Sequence, residues 1–273
     1  MADRPTLYQR FLPEGGQHSF VWKYSDPIGG RRPRHFHGEP EVNLVVRGSA
    51  TFGVGDRIAE VSQGELLVFP SGQDHVLIQA SPDLYLYAIG LDLPYSAQVL
   101  GVRNQPVVPL HVRIAPHELR GVLNRAASIV DRAGTAQLGA ELWEHIHWLA
   151  GRAADQTRCR AHVLTRRSLQ RMTESPELGL DALADELRAQ ASEISRNFHQ
   201  DLGMTLVRYR SRQRLLHAIR LIDNAGHDLM AVASIAGFGS YSQFHRTFHA
   251  ELGCSPRQFV SGVRKQMQLA YED

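Results

Sequence analysis

Four residues in the first third of the chain have the types and intervals of a metal-ligand set. His35, His37 and Glu41 stand at even separations, and His75 follows further on. Along an extended strand, even separations bring side chains to one face, and a neighbouring strand can deliver His75 to the same place. Three imidazoles and one carboxylate suit a divalent ion such as Zn, Fe, Mn or Ni, and the donor types do not choose among them. A lone His-x-His is more often a hydrogen-bonded pair; the set of four is what points to a metal.

A second constellation carries positive charge, and it occurs twice. The chain runs ISRNFHQDLGMTLVRY from Ile194 and FHRTFHAELGCSPRQF from Phe244, fifty residues on. Arg196 falls on Arg246, Phe198 on Phe248, His199 on His249 and Gly203 on Gly253. Such a period implies a duplicated supersecondary unit. Each copy reads as a short amphipathic helix with one arginine facing out, closed by glycine, then a Ser or Thr that caps the next helix. Two such helices on one support suit two neighbouring stretches of a DNA groove.

The elements that must position these groups differ between the two halves. HSFVWKY, EVNLVV, ATFGV, RIAEV, GELLVF, HVLIQA and LYLYAIGL are short, rich in β-branched and aromatic residues, and separated by turn residues. That spacing predicts a β-sandwich or closed barrel. From Pro116 the apolar positions Leu119, Val122, Leu123 and Ala126, then Leu138, Leu142, Ile146 and Leu149, follow helical spacing and predict a hairpin turning at Gly134. GRAADQTRCR, 151–160, reads as a boundary. We therefore expect an α+β multidomain protein: a β-barrel over 1–112 that binds an effector, a helical hairpin linker over 113–155, and an all-α domain over 156–273.

In that last domain helices are predicted over 165–173, 181–187, 193–200 with Ser192 as its cap, 205–223, and from Asp228. Ser240 with Gln243, and Ser255 with Gln258 after Pro256, read as capping boxes. Two helix-turn-helix units result, joined by the long helix, with second helices over 192–200 and 240–250. The early residues of such a helix meet base edges. Here these are Ser192, Glu193, Ser195 and Arg196, then Tyr241, Ser242, Gln243, His245 and Arg246. Arginine suits guanine, glutamine suits adenine, and serine tolerates either. Ile194, Phe198, Phe244 and Phe248 should point inward, and His199 and His249 toward solvent or a phosphate.

The run LADELRAQASEISRNFHQDLGMTLVRYRSRQRLLHAIRLI, followed by VASIAGFGSYSQFHRTFHAELGCSPRQF, resembles the double helix-turn-helix domain of the AraC/XylS regulators. The resemblance covers about the last hundred residues and implies one chain contacting two successive major-groove segments of double-stranded DNA. Ala191-Ser192-Glu193 departs from the Ser-Pro pair usual in the first unit. The intervals Gly29, His35, His37, Glu41, Gly48 and Gly64, Pro70, Gly72, His75, Gln79 resemble both cupin motifs, with Gln79 where asparagine is usual. That implies a small β-barrel with His35, His37, Glu41 and His75 at the family's metal positions. Many barrels attached to such domains hold an organic effector and no metal.

Charge agrees with this division. Residues 158–273 carry 16 Lys+Arg against 12 Asp+Glu, leaving 14 against 16 before them. A basic C-terminal half suits a polyanion. Two distant cysteines, Cys159 and Cys254, fit a reducing, cytoplasmic setting. No apolar run approaches a membrane span.

The expected function is a DNA-binding transcriptional regulator whose barrel senses a small molecule or metal ion, and not an enzyme. The hairpin would pair two chains in a homodimer, and RNA polymerase is a further partner open to such a protein. Two alternatives stand beside it. One is a metal-dependent enzyme in the barrel, with Tyr85, Tyr87 and Gln79 as acid–base candidates. The other is a constitutive DNA binder with a vestigial barrel. Arg31, Arg32 and Arg34 read as a solvated strand end rather than a guide for an anionic effector.

Overall fold

Alternation along one strand shows how the N-terminal half folds. In β4 (Glu41–Arg47), Glu41, Asn43 and Val45 face one way and Val42, Leu44 and Val46 the other. Residues 41–45 are all buried, so this strand is covered on both faces. The computed structural model describes residues 7–9, 19–25, 33–91, 109–131, 141–146, 148–149, 161–175, 178–225 and 228–261.

Two five-stranded sheets result. One runs β1 (Leu7–Tyr8), β3 (His35–Phe36), β8 (His75–Ala80), β5 (Ser49–Val54), β6 (Arg57–Ser62). The other runs β10 (Leu110–Arg113), β7 (Glu65–Phe69), β4, β9 (Tyr85–Leu91), β2 (Ser19–Tyr24). Val45, Phe52, Val54, Val61, Leu67, Phe69 and Leu86, drawn from both sheets, fill the space between them. The outer face of the second sheet carries Val42, Leu44, Leu66, Val68, Tyr87 and Ile89. Helix α1 (Pro116–Asp131) covers it with Val122 and Ala126, and the helical residues 141–146 and 148–149 add Leu142, Trp143, Ile146 and Leu149. The apolar stripe of the expected hairpin thus lies on its own barrel, leaving Trp148 53 % exposed. The Gly134 turn, the 151–160 boundary, Arg31 and Arg32 lie outside the described residues.

The C-terminal half is built from α2 (Val163–Glu174), α3 (Leu180–Leu187), α4 (Ala191–Leu202), α5 (Leu206–Ala225), α6 (Leu229–Ile235), α7 (Tyr241–Leu252) and α8 (Pro256–Val260). The expected stops and starts are largely present. The carboxylate of Asp228 accepts from the amides of Met230 and Ala231, the Thr205 hydroxyl from the Arg208 amide, and Ser255 closes a full capping box with Gln258. Gly203 and Gly253 end α4 and α7 in the left-handed conformation. Two expectations fail locally. α4 begins at Ala191 with Gln190 at the cap position and no side-chain cap, so Ser192 lies inside the helix. Ser240 accepts from the Gln243 amide, but the Gln243 carboxamide accepts from Gly239 rather than closing a box with Ser240.

The helices form two cores. The first joins Leu169, Leu183, Leu187, Ile194, Phe198, Leu202 and Leu206. The second joins Leu215, Ile219, Ile222, Val232, Phe238, Phe244, Phe248 and Phe259. α5 is the rod that contributes to both.

Candidate functional site

The imidazole cluster forms where the two sheets meet. His35 and His75 are direct cross-strand partners of β3 and β8. His37 lies past the end of β3, and Glu41 begins β4, so the chain turns between them. The even spacing does not act through one extended strand as expected; the turn at Gly38–Pro40 brings Glu41 back. All four side chains are buried. One ring nitrogen from each histidine lies within 4.8 Å of the others. Glu41 Oε2 is 3.2 Å from His37 Nε2, and Oε1 is 3.9 Å from His75 Nε2.

The backbone orients the rings. The Nδ1–H groups of His35, His37 and His75 donate to the carbonyls of Pro33 (2.9 Å), Glu39 (2.7 Å) and Gln73 (3.1 Å). This assigns the proton to Nδ1, the second bond that a metal-ligating histidine makes, and leaves Nε2 as the ligand atom of each ring, that of His37 facing Glu41. Phe69 stacks on His75 at 4.2 Å between centroids, and the Asn43 amide donates to Glu41 Oε1 at 2.6 Å. Burial, then the neighbouring imidazoles, holds His35 well below the usual histidine range. Burial pushes His75 down to about 4. Burial acts to raise Glu41, but the His37 hydrogen bond, both nearby imidazoles and Asn43 outweigh it and hold the carboxyl below its ordinary range. Neutral His35 and His75 rings beside an ionised Glu41 carboxylate suit metal ligation.

The groups weighed for acid–base chemistry lie elsewhere. Tyr87 is buried in the cluster under the helices, with its hydroxyl 3.1 Å from that of Tyr85, and Gln79 is exposed. Arg34 is not a solvated strand end: its Nη1 donates to Asp74 Oδ2 at 2.8 Å and to the Gly55 carbonyl at 2.6 Å.

On the other half, α4 and α7 present matching faces. Ile194 and Phe198, and fifty residues on Phe244 and Phe248, are fully buried. Ser192, Arg196, Ser242, His245 and Arg246 are exposed, while Glu193, Ser195, Tyr241 and Gln243 are half-buried. Neither Arg196 nor Arg246 has a carboxylate partner among the described residues. Tyr241 leans on Phe244 at 5.8 Å, and Gln243 is occupied at Gly239 as described, so these two are partly drawn into the support. His199 differs from expectation: its Nε2 is 2.9 Å from Asp56 of the barrel.

Sequence reasoning missed the seam between the halves. Arg212, in the middle of α5, is fully buried. It donates to Asp74 Oδ1 (2.7 Å), to the Gly72 carbonyl (2.9 Å) and to Glu251 Oε2 (2.9 Å), and its guanidinium lies 4.3 Å from the centre of the Phe36 ring. Removing one partner of such a buried pair costs about 3–5 kcal/mol. Arg57 donates to the carbonyls of Gln200 and Asp201 at the end of α4. Gly55 and Gly203 meet there, both with positive φ, and a Cβ on either would collide with the other strand of backbone.

Comparison with known proteins agrees with both halves. Residues 22–88 match the cupin domain family and residues 183–262 a helix-turn-helix domain family. The HTH-type transcriptional activator RhaS of Salmonella agona is 23 % identical over 250 residues, covering 84 % of this chain and 88 % of that protein. RhaS of Salmonella schwarzengrund is 22 % identical over 249 residues, with the same two coverages of 84 % and 88 %. Among solved structures, ToxT from Vibrio cholerae aligns over 89 % of this chain and 96 % of its own at 10 % identity, with a TM-score of 0.47.

A cupin-like β domain joined to paired helix-turn-helix units defines a DNA-binding transcriptional regulator. Within that class, the pairing of these two domains is similar to that of the AraC/XylS regulators. No helix among the described residues is long and apolar enough to cross a membrane.

Proposed function

We propose that this regulator reads two adjacent major-groove segments with α4 and α7, through Ser192, Ser195, Arg196, Tyr241, Ser242, Gln243, His245 and Arg246. The observation that carries it is the matched pair of helices, each with an exposed arginine that has no carboxylate partner among the described residues, above a buried aromatic or aliphatic row. Arg196 and Arg246 are the strongest base or phosphate contacts. Gln243 and Tyr241 contribute less, because their side chains also hold the helix start.

The barrel, over 1–112, is the sensor of a small molecule, a metal ion or both. His35, His37, Glu41 and His75 would hold a divalent metal such as Zn, Fe, Mn or Ni, and the donor set fits one because three Nδ1 groups are already committed to carbonyls. Bound there, an ion would supply positive charge and a Lewis-acid centre to a ligand. The sensing role is favoured over an enzyme because Tyr87 and Gln79 stand away from the imidazoles. The segment 113–155 links the barrel to the DNA-binding half over 156–273, and exposed Trp148 gives it an apolar contact for a second chain in a homodimer. The setting is cytoplasmic, with RNA polymerase as the downstream partner.

The test is selection of duplexes from a random pool by the full-length protein, with elemental analysis and mass spectrometry of what co-purifies. The expected product is a bipartite site with half-site centres about 10 base pairs apart. A pool with no enriched sequence refutes the assignment.

A further inference from the structure

The wall between the imidazole cluster and the second helix-turn-helix unit is one residue thick. In β3 the neighbours alternate: His35 belongs to the cluster, and Phe36 packs into the core of Leu215, Ile219, Phe244 and Phe248. The loop from β7 to β8 is divided the same way. His75 belongs to the cluster, while Asp74 and the Gly72 carbonyl grip Arg212. The Gly72 amide donates to the His37 carbonyl at 2.8 Å, which ties that loop to a second histidine of the cluster. Arg212 passes the contact on to Glu251, near the end of α7.

The barrel also holds the first unit. The Asp56 carboxylate meets His199, its amide donates to the Gly203 carbonyl at 3.0 Å, and Arg57 binds the last carbonyls of α4. Leu110 of β10 packs on the first unit's core. These two grips are joined inside the barrel, since the Gly55 amide donates to the Asp74 carbonyl and Arg34 bridges Gly55 and Asp74. The two helical cores share only α5 as a common contributor among the described residues.

We infer that Phe36, Asp74 and Arg212 are positioning residues through which the barrel sets the separation of the two recognition helices. α5 alone is a rod that can bend or roll; the barrel is a second brace across both units. Whatever occupies the imidazole cluster acts on DNA through this brace, by altering β3 and the β7–β8 loop. The inference rests on the DNA-reading assignment above.

Its test separates the two. The bipartite site selected by the wild-type chain is remade with spacers one and two base pairs longer and shorter. Full-length wild type, Asp74→Asn and Glu251→Gln are titrated on each by fluorescence anisotropy at fixed salt. Neither substituted residue is among the base-reading set. Wild type is expected to lose on the order of tenfold in affinity when the spacer changes, and the variants about threefold or less, with both half-site sequences unchanged. Folded variants that show the wild-type spacer penalty overturn the inference. Should neither variant fold, amide exchange of the wild-type chain with and without its duplex decides: altered protection at residues 71–75, far from the reading faces, supports the brace, and unaltered protection overturns it. A wild-type chain that selects no bipartite site removes the DNA-reading assignment itself.

Discussion

Replacing Arg246 with alanine separates recognition from stability. The guanidinium is exposed and has no carboxylate partner among the described residues, so its loss should change unfolding free energy by no more than about 0.5 kcal/mol. If it forks onto a guanine, binding to the selected duplex should weaken by about 1–3 kcal/mol. At tenfold per 1.4 kcal/mol, that is roughly 5- to 150-fold in Kd. One base position should also become permissive. If it holds a phosphate instead, affinity falls evenly across sequences and the slope of log K against log salt drops by about 1. Arg196→Ala should behave in the same way on the other half-site, because α4 repeats the burial of α7 there. Anisotropy titrations over a range of ionic strengths and single-base duplex variants read all three quantities, and urea denaturation controls for folding. Unchanged affinity, slope and base preference together would refute the role given to Arg246.

Three further outcomes are expected. His75→Ala should lower uptake of added Zn2+ at least about tenfold, measured by competition with a chromogenic chelator, since it removes one of three converging rings; wild-type uptake would exclude His75 as a ligand. Acid should weaken the fold through the same ring. His75 titrates near 6.5 when unfolded and at about 4 when folded, so the unfolded chain binds more protons between these values, and stability is lost as pH falls from 6.5 to 4. The full effect is roughly 3 kcal/mol, Glu41 adds loss in the same direction at lower pH, and a urea midpoint that does not move between pH 7 and pH 5 would contradict it. Phe248→Ala empties a fully buried site between Phe244 and Phe259 and should cost about 3–5 kcal/mol in chemical denaturation, against almost nothing for its exposed neighbour His249.

What the chain disclosed in advance was whatever depends on local chemistry. The glycines closing α4 and α7, the Asp228 and Ser255 caps and the β-branched runs of the strands all act within a few residues, and a linear reading sees them. The duplicated helices were legible because two copies confirmed each other's inward and outward positions. The hidden features come from distant segments. Arg212 sits among Arg208, Arg210 and Arg214, and in sequence it reads as one more solvated charge. Its burial depends on a loop 138 residues away. His199 meets Asp56 for the same kind of reason, and Arg34 becomes a structural cation because Asp74 comes to it. The start of α4 was misplaced because Ser192 is a good cap in isolation, while the helix begins two residues earlier, at Ala191, which packs against the first core.

The two helices proposed to read DNA share a skeleton but not an alphabet. At matched outward places Ser192 faces Ser242, Glu193 faces Gln243, Ser195 faces His245 and Arg196 faces Arg246. One carboxylate and one carboxamide, one hydroxyl and one imidazole, make the halves of any operator chemically unequal. On the proposed reading, a single bound chain would have a head and a tail along the duplex, and inverting its operator beside a promoter would turn the barrel to the opposite flank.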